Sequence, residues 1–392
     1  MNKKIGLLIV GINGAIGTTV TSGLKAINEN YIEPIGLLTA MPEFAKYPLV
    51  SLENLIVGGW DIVKQKHIDC IKKHNIIPKD ISDKIVSEGI DITVYDAPIS
   101  GITGHILNTE GSDQNAKSMT IEEAIEKITI NIDDFISKNN LSGCIVGNLS
   151  STEPLPCDED IFMSLDKFEK AIKNNDSRIY ASVIYAYAAI KHHIPFFNFT
   201  PNHTINIPAI KELAKKEKVS IAGNDGKTGQ TLYKTVIAPM LKWRNLKLYG
   251  WYSTNILGNN DGRVLEDPLH KATKIRSKTK VLDKILGYRD FYHRVDINYY
   301  PPRGDAKEAW DTIDFKGWLG KDMCMKINWI GEDSILAAPL VVDITRLLWY
   351  TYENKDYGVA KHLSLFFKDP AEVDEYSFIN QVQMLLNYLS TK

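Results

Sequence analysis

Cysteine is scarce in this chain and unorganised where it occurs. Of 392 residues four are cysteine (Cys70, Cys144, Cys157 and Cys324), and no two form a Cys-x-x-Cys pair. That argues against a thiolate zinc module or a disulfide framework and fits a reducing, cytoplasmic setting. The histidines, His192 and His193 among them, show no metal-ligand spacing and are read as structural. Charge of one sign is also lacking. Lys and Arg number 46 against 48 Asp and Glu, a net charge of −2, which gives no field to hold nucleic acid or an anionic membrane. Long hydrophobic runs are missing as well. Two lysines and an apolar run open the chain, but Gly11, Asn13 and Gly14 interrupt it, so it reads as a first β-strand rather than a signal peptide. No stretch is expected to reach membrane-spanning length. Internal repeats, low-complexity tracts and long charged tails are absent too. What remains is an ordinary globular composition, 44% hydrophobic and 24% charged, on a chain long enough for two domains or one large interleaved one.

The first half alternates strands and helices. Lys4 to Val10 reads as a buried strand, followed by Gly11-Ile12-Asn13-Gly14-Ala15-Ile16-Gly17 and a helix to Ile27. Strand, glycine turn and helix form the context of a dinucleotide site, because glycines admit a pyrophosphate and a helix N-terminus supplies N–H groups and positive dipole. The spacing, Gly-x-x-Gly-x-x-Gly, departs from Gly-x-Gly-x-x-Gly by placing Asn13 at the second glycine. The turn points to NAD, with a plain tight turn as the alternative. Ile35 to Leu38 reads as the second strand and ends on Thr39 and Ala40, without the acid that ordinarily takes a ribose. Asp61, after Leu55 to Val57 and Gly58-Gly59-Trp60, either replaces that acid or caps a helix starting there. Thr120 and Glu123 form a capping box ahead of a stripe of Ile121, Ile125, Ile128, Ile132 and Phe135. Cys144 to Gly147 is a buried strand emptying into Asn148-Leu149-Ser150-Ser151-Thr152-Glu153, either a ligand loop or a solvated connection. Tyr180 to Ile190 is aromatic and alanine-rich, as buried core is, and Pro208 opens a short helix.

The character changes after residue 222. Val219 to Ala222 runs into Gly223-Asn224-Asp225-Gly226-Lys227-Thr228-Gly229-Gln230-Thr231, a second glycine turn that does not match Walker A. Leu246 to Thr254, Arg294 to Tyr300 and Met323 to Ile330 alternate over longer stretches, which predicts an antiparallel sheet with one covered face. Gly258-Asn259-Asn260-Asp261-Gly262 tolerates positive φ and offers N–H groups to an anion, and Lys271, Lys274, Lys278 and Lys280 follow it. Lys274 and Lys278 are four apart, so a helix would set both on one face. A phosphorylated substrate explains that pairing; a solvated basic helix is the alternative. Pro301-Pro302-Arg303-Gly304-Asp305-Ala306-Lys307 is a rigid turn with an acid and a lysine, and Asp333 or Ser334 is placed to cap a long apolar helix from Ile335 to Tyr350.

Thr200-Pro201-Asn202, the Gly223 to Thr231 turn, Asn255-Ile256-Leu257-Gly258-Asn259-Asn260-Asp261-Gly262 and Glu332-Asp333-Ser334-Ile335-Leu336-Ala337-Ala338-Pro339 occur in that order. Together they resemble the myo-inositol-1-phosphate synthase family, from the N-terminal glycine turn to Lys368, and most closely its shorter archaeal and bacterial forms. Two departures stand out: Asn13, Ala15 and Ile16 differ from the family's Gly-x-Gly-Gly-Asn-Asn-Gly turn, and Leu232 replaces a lysine many members carry, which leaves the assignment of Lys234 open.

The resemblance implies an α/β fold: a Rossmann-like NAD-binding domain, residues 1–222 with 336–392, and an inserted α+β antiparallel-sheet domain, residues 223–335, for catalysis and homotetramer assembly. It implies conversion of D-glucose 6-phosphate to 1L-myo-inositol 1-phosphate, in inositol and phospholipid biosynthesis, by oxidation at C5, enolisation, cyclisation and re-reduction on the same NAD. Around the cofactor it sets Gly11, Asn13, Gly14, Ala15, Ile16, Gly17, Asp61, Ser151, Thr152, Asn224, Lys227, Gly258, Asn259, Asn260, Asp305, Ala306 and Ser334. At the reacting centre it sets Asp225, Asn255, Leu257, Lys274, Lys278, Lys307, Asp333 and Lys368. Lys274 and Lys307 are assigned to O5, Lys278 and Lys368 to the phosphate and O1, and Asp333 to a lysine or the nicotinamide amide. The family uses either a divalent or a monovalent cation, for which the sequence names no ligands. The competing readings are an ordinary sugar-phosphate dehydrogenase and a non-catalytic NAD-binding regulator.

Overall fold

The computed structural model describes residues 3–98, 119–153, 159–258 and 281–392. Two sheets organise them. The first has seven strands, all parallel, in the order β11-β6-β5-β4-β1-β2-β3. They are β1 (Ile5–Val10), β2 (Leu55–Asp61), β3 (Thr93–Asp96), β4 (Gly143–Asn148), β5 (Phe196–Asn198), β6 (Ser220–Gly223) and β11 (Gly358–Val359). All six residues of β1 are buried, as a central strand covered on both faces requires. From β3 to β6 this is the order of a dinucleotide-binding sheet, and it reverses between β1 and β4, so the loops leaving those strands flank a crevice.

Helices cover both faces. Helix α1 (Ala15–Asn28) is buried continuously from Gly17 to Ser22, whereas on α4 (Ile121–Lys138) the buried residues recur at helical spacing, Ile121, Ala124, Ile128, Ile132 and Phe135, behind the expected Thr120–Glu123 capping box. Helix α6 (Ala181–Lys191) is buried from Ser182 to Ile190 on every side, a core helix rather than an amphipathic one. Residues 35–38 are not the second strand: Ile35 is 91% exposed and Leu38–Ala40 is a 3-10 turn. The stretch is an excursion pinned to the long helix α9 (Asp333–Glu353). Asp343 accepts from the Leu38 and Thr39 amides, and Arg346 donates to the Thr39 and Val50 carbonyls. With its strand β2 ending on Asp61, the chain does carry an acid where the second strand stops.

Helix α9 also corrects the expectation about apolar length. It has 21 residues and a mean hydropathy of 1.2 over its most apolar stretch, enough to cross a membrane by length and composition, and 72% of that stretch is buried inside the protein. It is a core helix packed between the 29–54 excursion and the parallel sheet.

The second sheet is mixed, not antiparallel as expected. It runs β10-β9-β7-β8, from β7 (Lys247–Leu257), β8 (Tyr292–Tyr299), β9 (Ala306–Lys316) and β10 (Asp322–Glu332). β9 lies antiparallel to both β7 and β10, whereas β8 runs parallel to β7. The reason is the connection: a segment of more than thirty residues joins β7 to β8, long enough to cross back and start β8 in the same direction. One face is covered by α8 (Gln230–Trp243), which buries Ala238 and Leu241 against Leu248, Trp251 and Ile313. The other face exposes Tyr252, Trp310 and Ile330.

Candidate functional site

A cleft of about 610 Å³ opens at the carboxyl ends of β1, β2 and β4 and reaches the second sheet at Gly258 and Gly304. At its floor the first glycine turn is held by β2. The Gly11 and Ile12 amides donate to the Trp60 carbonyl, and the Asn13 amide donates to Asp61 at 2.8 Å. Gly11 has φ +88°, and a Cβ at Gly17 would sit 2.4 Å from the Ile12 carbonyl oxygen, so neither position accepts a side chain without a shift. Helix α1 then begins at Gly14 with no side-chain cap and no acid in its first turn. Its first N–H groups, on residues lining the cleft, have no intrahelical acceptor, and this fits the pyrophosphate of a dinucleotide. Asn13 is committed to the turn itself: its amide reaches the Val63 and Gln65 carbonyls and its oxygen meets His67, whose burial lowers its pKa to about 4.

Asp61 caps no helix, since the next one starts at His67. Its two oxygens accept from the Asn13 and Val63 amides. Burial raises its pKa, and those hydrogen bonds oppose the rise. Beyond Asp61 the cleft is walled by Gln65, Lys73 and His74.

On the opposite side, β4 delivers Ser151, Thr152 and Glu153. Glu153 is buried and accepts from the Ser182 amide at 3.1 Å and from the Asn202 side-chain amide at 3.2 Å, with the Ser182 hydroxyl also upon it. It therefore serves as a remote cap for α6, whose own N-cap residue offers none. Burial pushes its pKa up to about 7. The sequence offered Glu153 only as the end of a possible ligand loop and Ser182 only as part of a core stretch, because the contact between them joins residues remote in the chain.

The Gly223–Gly229 turn gathers the charged groups. Its Asp225 and Lys227 amides donate to the Thr200 and Phe366 carbonyls, and the Lys368 amide returns to the Asp225 carbonyl. So clamped, Lys368 Nζ lies 2.8 Å from Asp225 Oδ1, with both side chains buried. Thr228 of the same turn donates to Asp333, which also takes Lys307 Nζ at 3.2 Å from β9. Lys227 points to Gln381 on the C-terminal helix α10 (Phe378–Ser390) at 2.5 Å, and burial and then the charge of Lys368 lower its pKa to about 7. Lys234 is buried beside His293, at 2.7 Å, and burial lowers its pKa to about 8.

Neither Asp333 nor Ser334 caps α9. Asp305 does, its carboxylate accepting from the Ser334 amide and hydroxyl at 2.9 Å each. Fifteen of the expected residues line this cleft: Gly11, Asn13, Gly14, Ala15, Ile16, Gly17, Asp61, Ser151, Thr152, Asp225, Gly258, Asp305, Asp333, Ser334 and Lys368. Lys307 stands behind its wall, opposite Leu257 in the sheet register, with Ala306 beside it and Asn255 two residues back along β7. Asn224 is turned inward, where its side-chain oxygen accepts from Asn198 and from the Ile205 amide. Lys274, Lys278, Asn259 and Asn260 lie outside the described residues. Among the described residues there is no group of three or more His, Cys, Asp or Glu placed to hold a metal ion.

The sequence matches the family model described as myo-inositol-1-phosphate synthase, which is an NAD-binding family, over residues 5–390. It is 37% identical to inositol-3-phosphate synthase 1 of Bacteroides thetaiotaomicron over 386 residues, covering 94% of this chain and 89% of the relative. It is 27% identical to the inositol-3-phosphate synthase of Dictyostelium discoideum, covering 98% and 80%. In fold it is similar to the crystal structure of inositol-3-phosphate synthase from Caenorhabditis elegans, with a TM-score of 0.90 over 100% of this chain and 86% of that one, at 24% identity. A myo-inositol-1-phosphate synthase-related protein from Thermotoga maritima superposes with a TM-score of 0.83, also at 24% identity, over 99% and 98%. A parallel sheet whose switch point opens onto glycine turns, and a second sheet whose Lys307 pairs with Asp333 on the wall of the same cleft, thus coincide with a match along nearly the whole sequence: the chain belongs to the myo-inositol-1-phosphate synthase family.

Proposed function

We propose that this protein is an inositol-3-phosphate synthase, converting D-glucose 6-phosphate to 1L-myo-inositol 1-phosphate with no net redox change. The observation that carries the reading is the convergence of two lysine–carboxylate pairs, Lys368–Asp225 and Lys307–Asp333, on the glycine turn that lies beside the cofactor cleft. NAD, when bound, supplies an acceptor of hydride from C5 and returns it after ring closure. The uncapped first turn of α1 holds its pyrophosphate, and Asp61, at the end of β2, stands where the adenosine ribose is held.

The chain's own residues manage charge. Oxidation at C5 releases the O5 proton, deprotonation at C6 gives an enolate, and its attack on the C1 aldehyde leaves negative charge on O1. Each charge develops where water is largely excluded, so a fixed ammonium group stabilises it far better than it would in bulk solvent. In this assignment Lys307 and Lys274 serve O5, and Lys368 and Lys278 serve the phosphate and O1. Asp225 and Asp333 hold the two described lysines in place before substrate arrives. No step is assigned to a cation.

The same reading gives residues 1–222 with 336–392 to the cofactor and residues 223–335 to the chemistry and to assembly. The exposed face of the second sheet, with Tyr252, Trp310 and Ile330 uncovered, supports a homotetramer built on that face; a monomer in sedimentation at micromolar concentration would remove this part of the proposal.

The test of the function is incubation with glucose 6-phosphate and a catalytic amount of NAD. Inositol monophosphate should accumulate over many turnovers with no sustained rise in absorbance at the NADH wavelength. Stoichiometric NADH release would instead identify an ordinary dehydrogenase, and NAD binding without turnover a regulator.

A further inference from the structure

On the covered face of the second sheet a chain of hydrogen bonds leads from a buried acid to the site. Asp311 on β9 accepts from three donors: Trp251 Nε1 at 2.7 Å and Ser253 Oγ at 2.6 Å, both on Oδ1, and Gln230 Nε2 at 2.8 Å on Oδ2. Gln230 Oε1 in turn accepts from Asn255 Nδ2 at 2.6 Å. These residues are enclosed, Asn255 and Ser253 at 0% exposure, Gln230 at 2% and Asp311 at 3%. At the far end, Asn255 Oδ1 is buried without a hydrogen-bond partner. Asn255 lies two residues before Leu257 on one strand face, and Leu257 is opposite Lys307, so the unpartnered oxygen belongs to the wall that carries the reacting lysine.

The direction of this chain is not free. A carboxylate can only accept, so Gln230 must turn its NH₂ toward Asp311 and its oxygen toward Asn255. Asn255 must then spend its NH₂ on Gln230, which leaves its carbonyl oxygen for whatever enters. A buried acceptor left unmatched is costly, so the group that meets it has to bring a proton. We propose that Asp311 is a positioning residue that acts through Gln230 to hold the Asn255 carbonyl as the acceptor for a hydroxyl of the sugar phosphate. The inference rests on the reaction proposed above and deepens it: the second sheet, as well as the lysines, selects a substrate with a hydroxyl rather than a carbonyl at that position.

Polarity makes the idea testable by reversal. In Asp311→Asn, Trp251 and Ser253 still require an acceptor on their side, so the new NH₂ faces Gln230. Gln230 then turns over, Asn255 turns over with it, and an NH₂ meets the substrate. The hydrogen bonds of the relay itself are all kept, with one unmatched group at its Asn255 end as before, so stability stays near that of the unsubstituted protein. In Asn255→Asp, by contrast, the Gln230 oxygen faces a carboxylate oxygen, and both stability and substrate binding suffer. The double variant, Asp311→Asn with Asn255→Asp, runs the chain backwards. Its new amide donates to Gln230, Gln230 donates to the new carboxylate, and an acceptor again faces the substrate.

The four proteins are compared by urea unfolding, by NAD binding, and by KM and kcat for glucose 6-phosphate. Asp311→Asn should raise KM by about 10- to 100-fold with little loss of stability, because the hydroxyl contact exists in ground and transition states alike. NAD binding should be unchanged, and the double variant should recover most of both KM and stability. Losses that add in the double variant would overturn the relay, as would a normal KM in Asp311→Asn. Unfolding reads the polarity of the relay without any turnover, so it still decides the relay if the unsubstituted protein makes no inositol phosphate, a result that would overturn the functional reading instead.

Discussion

Lys368 and Asp225 meet at 2.8 Å although 143 residues separate them, and the two side chains are 8% and 5% exposed. The pair is made by backbone as much as by charge. The Lys368 amide donates to the Asp225 carbonyl, and Asp369 and Asn224 exchange backbone hydrogen bonds beside it. The lysine is thus delivered to the glycine turn by a short antiparallel contact.

Removing one partner leaves the other buried. Lys368→Met should cost about 3–5 kcal/mol of stability, because an uncompensated carboxylate remains inside the protein. Adding Asp225→Asn should recover much of that loss while activity stays absent. Urea denaturation of the single and double variants measures the difference; equal stability of Lys368→Met and the unsubstituted protein would show that the pair is not enclosed in solution.

A second expectation concerns pH. Glu153 has its pKa raised from 4.5 to about 7 by burial. Between those values the folded protein keeps a proton that the unfolded chain has lost, so this contribution is fully present below about pH 4.5 and is lost as pH rises to about 7. Glu153→Gln stays neutral throughout. The stability difference between the variant and the unsubstituted protein should therefore shift in the variant's favour by about 3 kcal/mol across that window. Thermal melts at half-unit pH intervals would measure it, and a constant difference would contradict the assignment.

Lys227 should behave in the opposite sense. Its pKa is lowered from 10.5 to about 7, so its contribution is present above about pH 10.5 and is lost as pH falls toward 7. Lys227→Met should be most stable relative to the unsubstituted protein near pH 6 and lose that advantage in alkali. The same melts, extended to pH 10, check the sign.

The lysines assigned to O5 give a kinetic expectation. Lys307→Ala and Lys274→Ala should each lower the first hydride transfer by at least about 100-fold, roughly 3 kcal/mol of transition-state stabilisation. NAD affinity should change little, since the glycine turn at Gly11–Gly17 is intact. Single-turnover NADH formation alongside NAD titration tests both; a near-normal first hydride transfer in either variant would remove that lysine from O5.

Asp61→Ala addresses the cofactor instead. It strips the acceptor from the Asn13 and Val63 amides, which should cost about 1–3 kcal/mol of stability. NAD binding should weaken with it, because those amides shape the turn. Unaltered NAD affinity in a correctly folded variant would leave Asp61 with a structural role only.

Local patterns in the sequence already carried much of the fold. The apolar run before Gly11, the Thr120–Glu123 capping box and the stripe down α4 are each written within a few residues, because short-range hydrogen bonding and helical spacing determine them. The motifs around Gly223–Thr231 and Glu332–Pro339 likewise stood out, since ligand loops concentrate glycine and small polar residues. Strand β9 went unseen for the opposite reason. Its inward positions are Lys307, Ala309, Asp311, Ile313 and Phe315, and two buried charges break the apolar alternation by which a strand is recognised. The sequence leaves Asp61 open between a ribose acid and a helix cap, and residues 35–38 read as the second strand, because residues 29–54 intervene where that strand is normally sought. That excursion is fastened by Asp343 and Arg346, some three hundred residues away. Glu153 as a cap for α6, Asp305 as the cap for α9 and the Asp311–Gln230–Asn255 chain all join residues remote in sequence. Such contacts depend on register and on how two sheets are set against each other, so only the tertiary structure decided them.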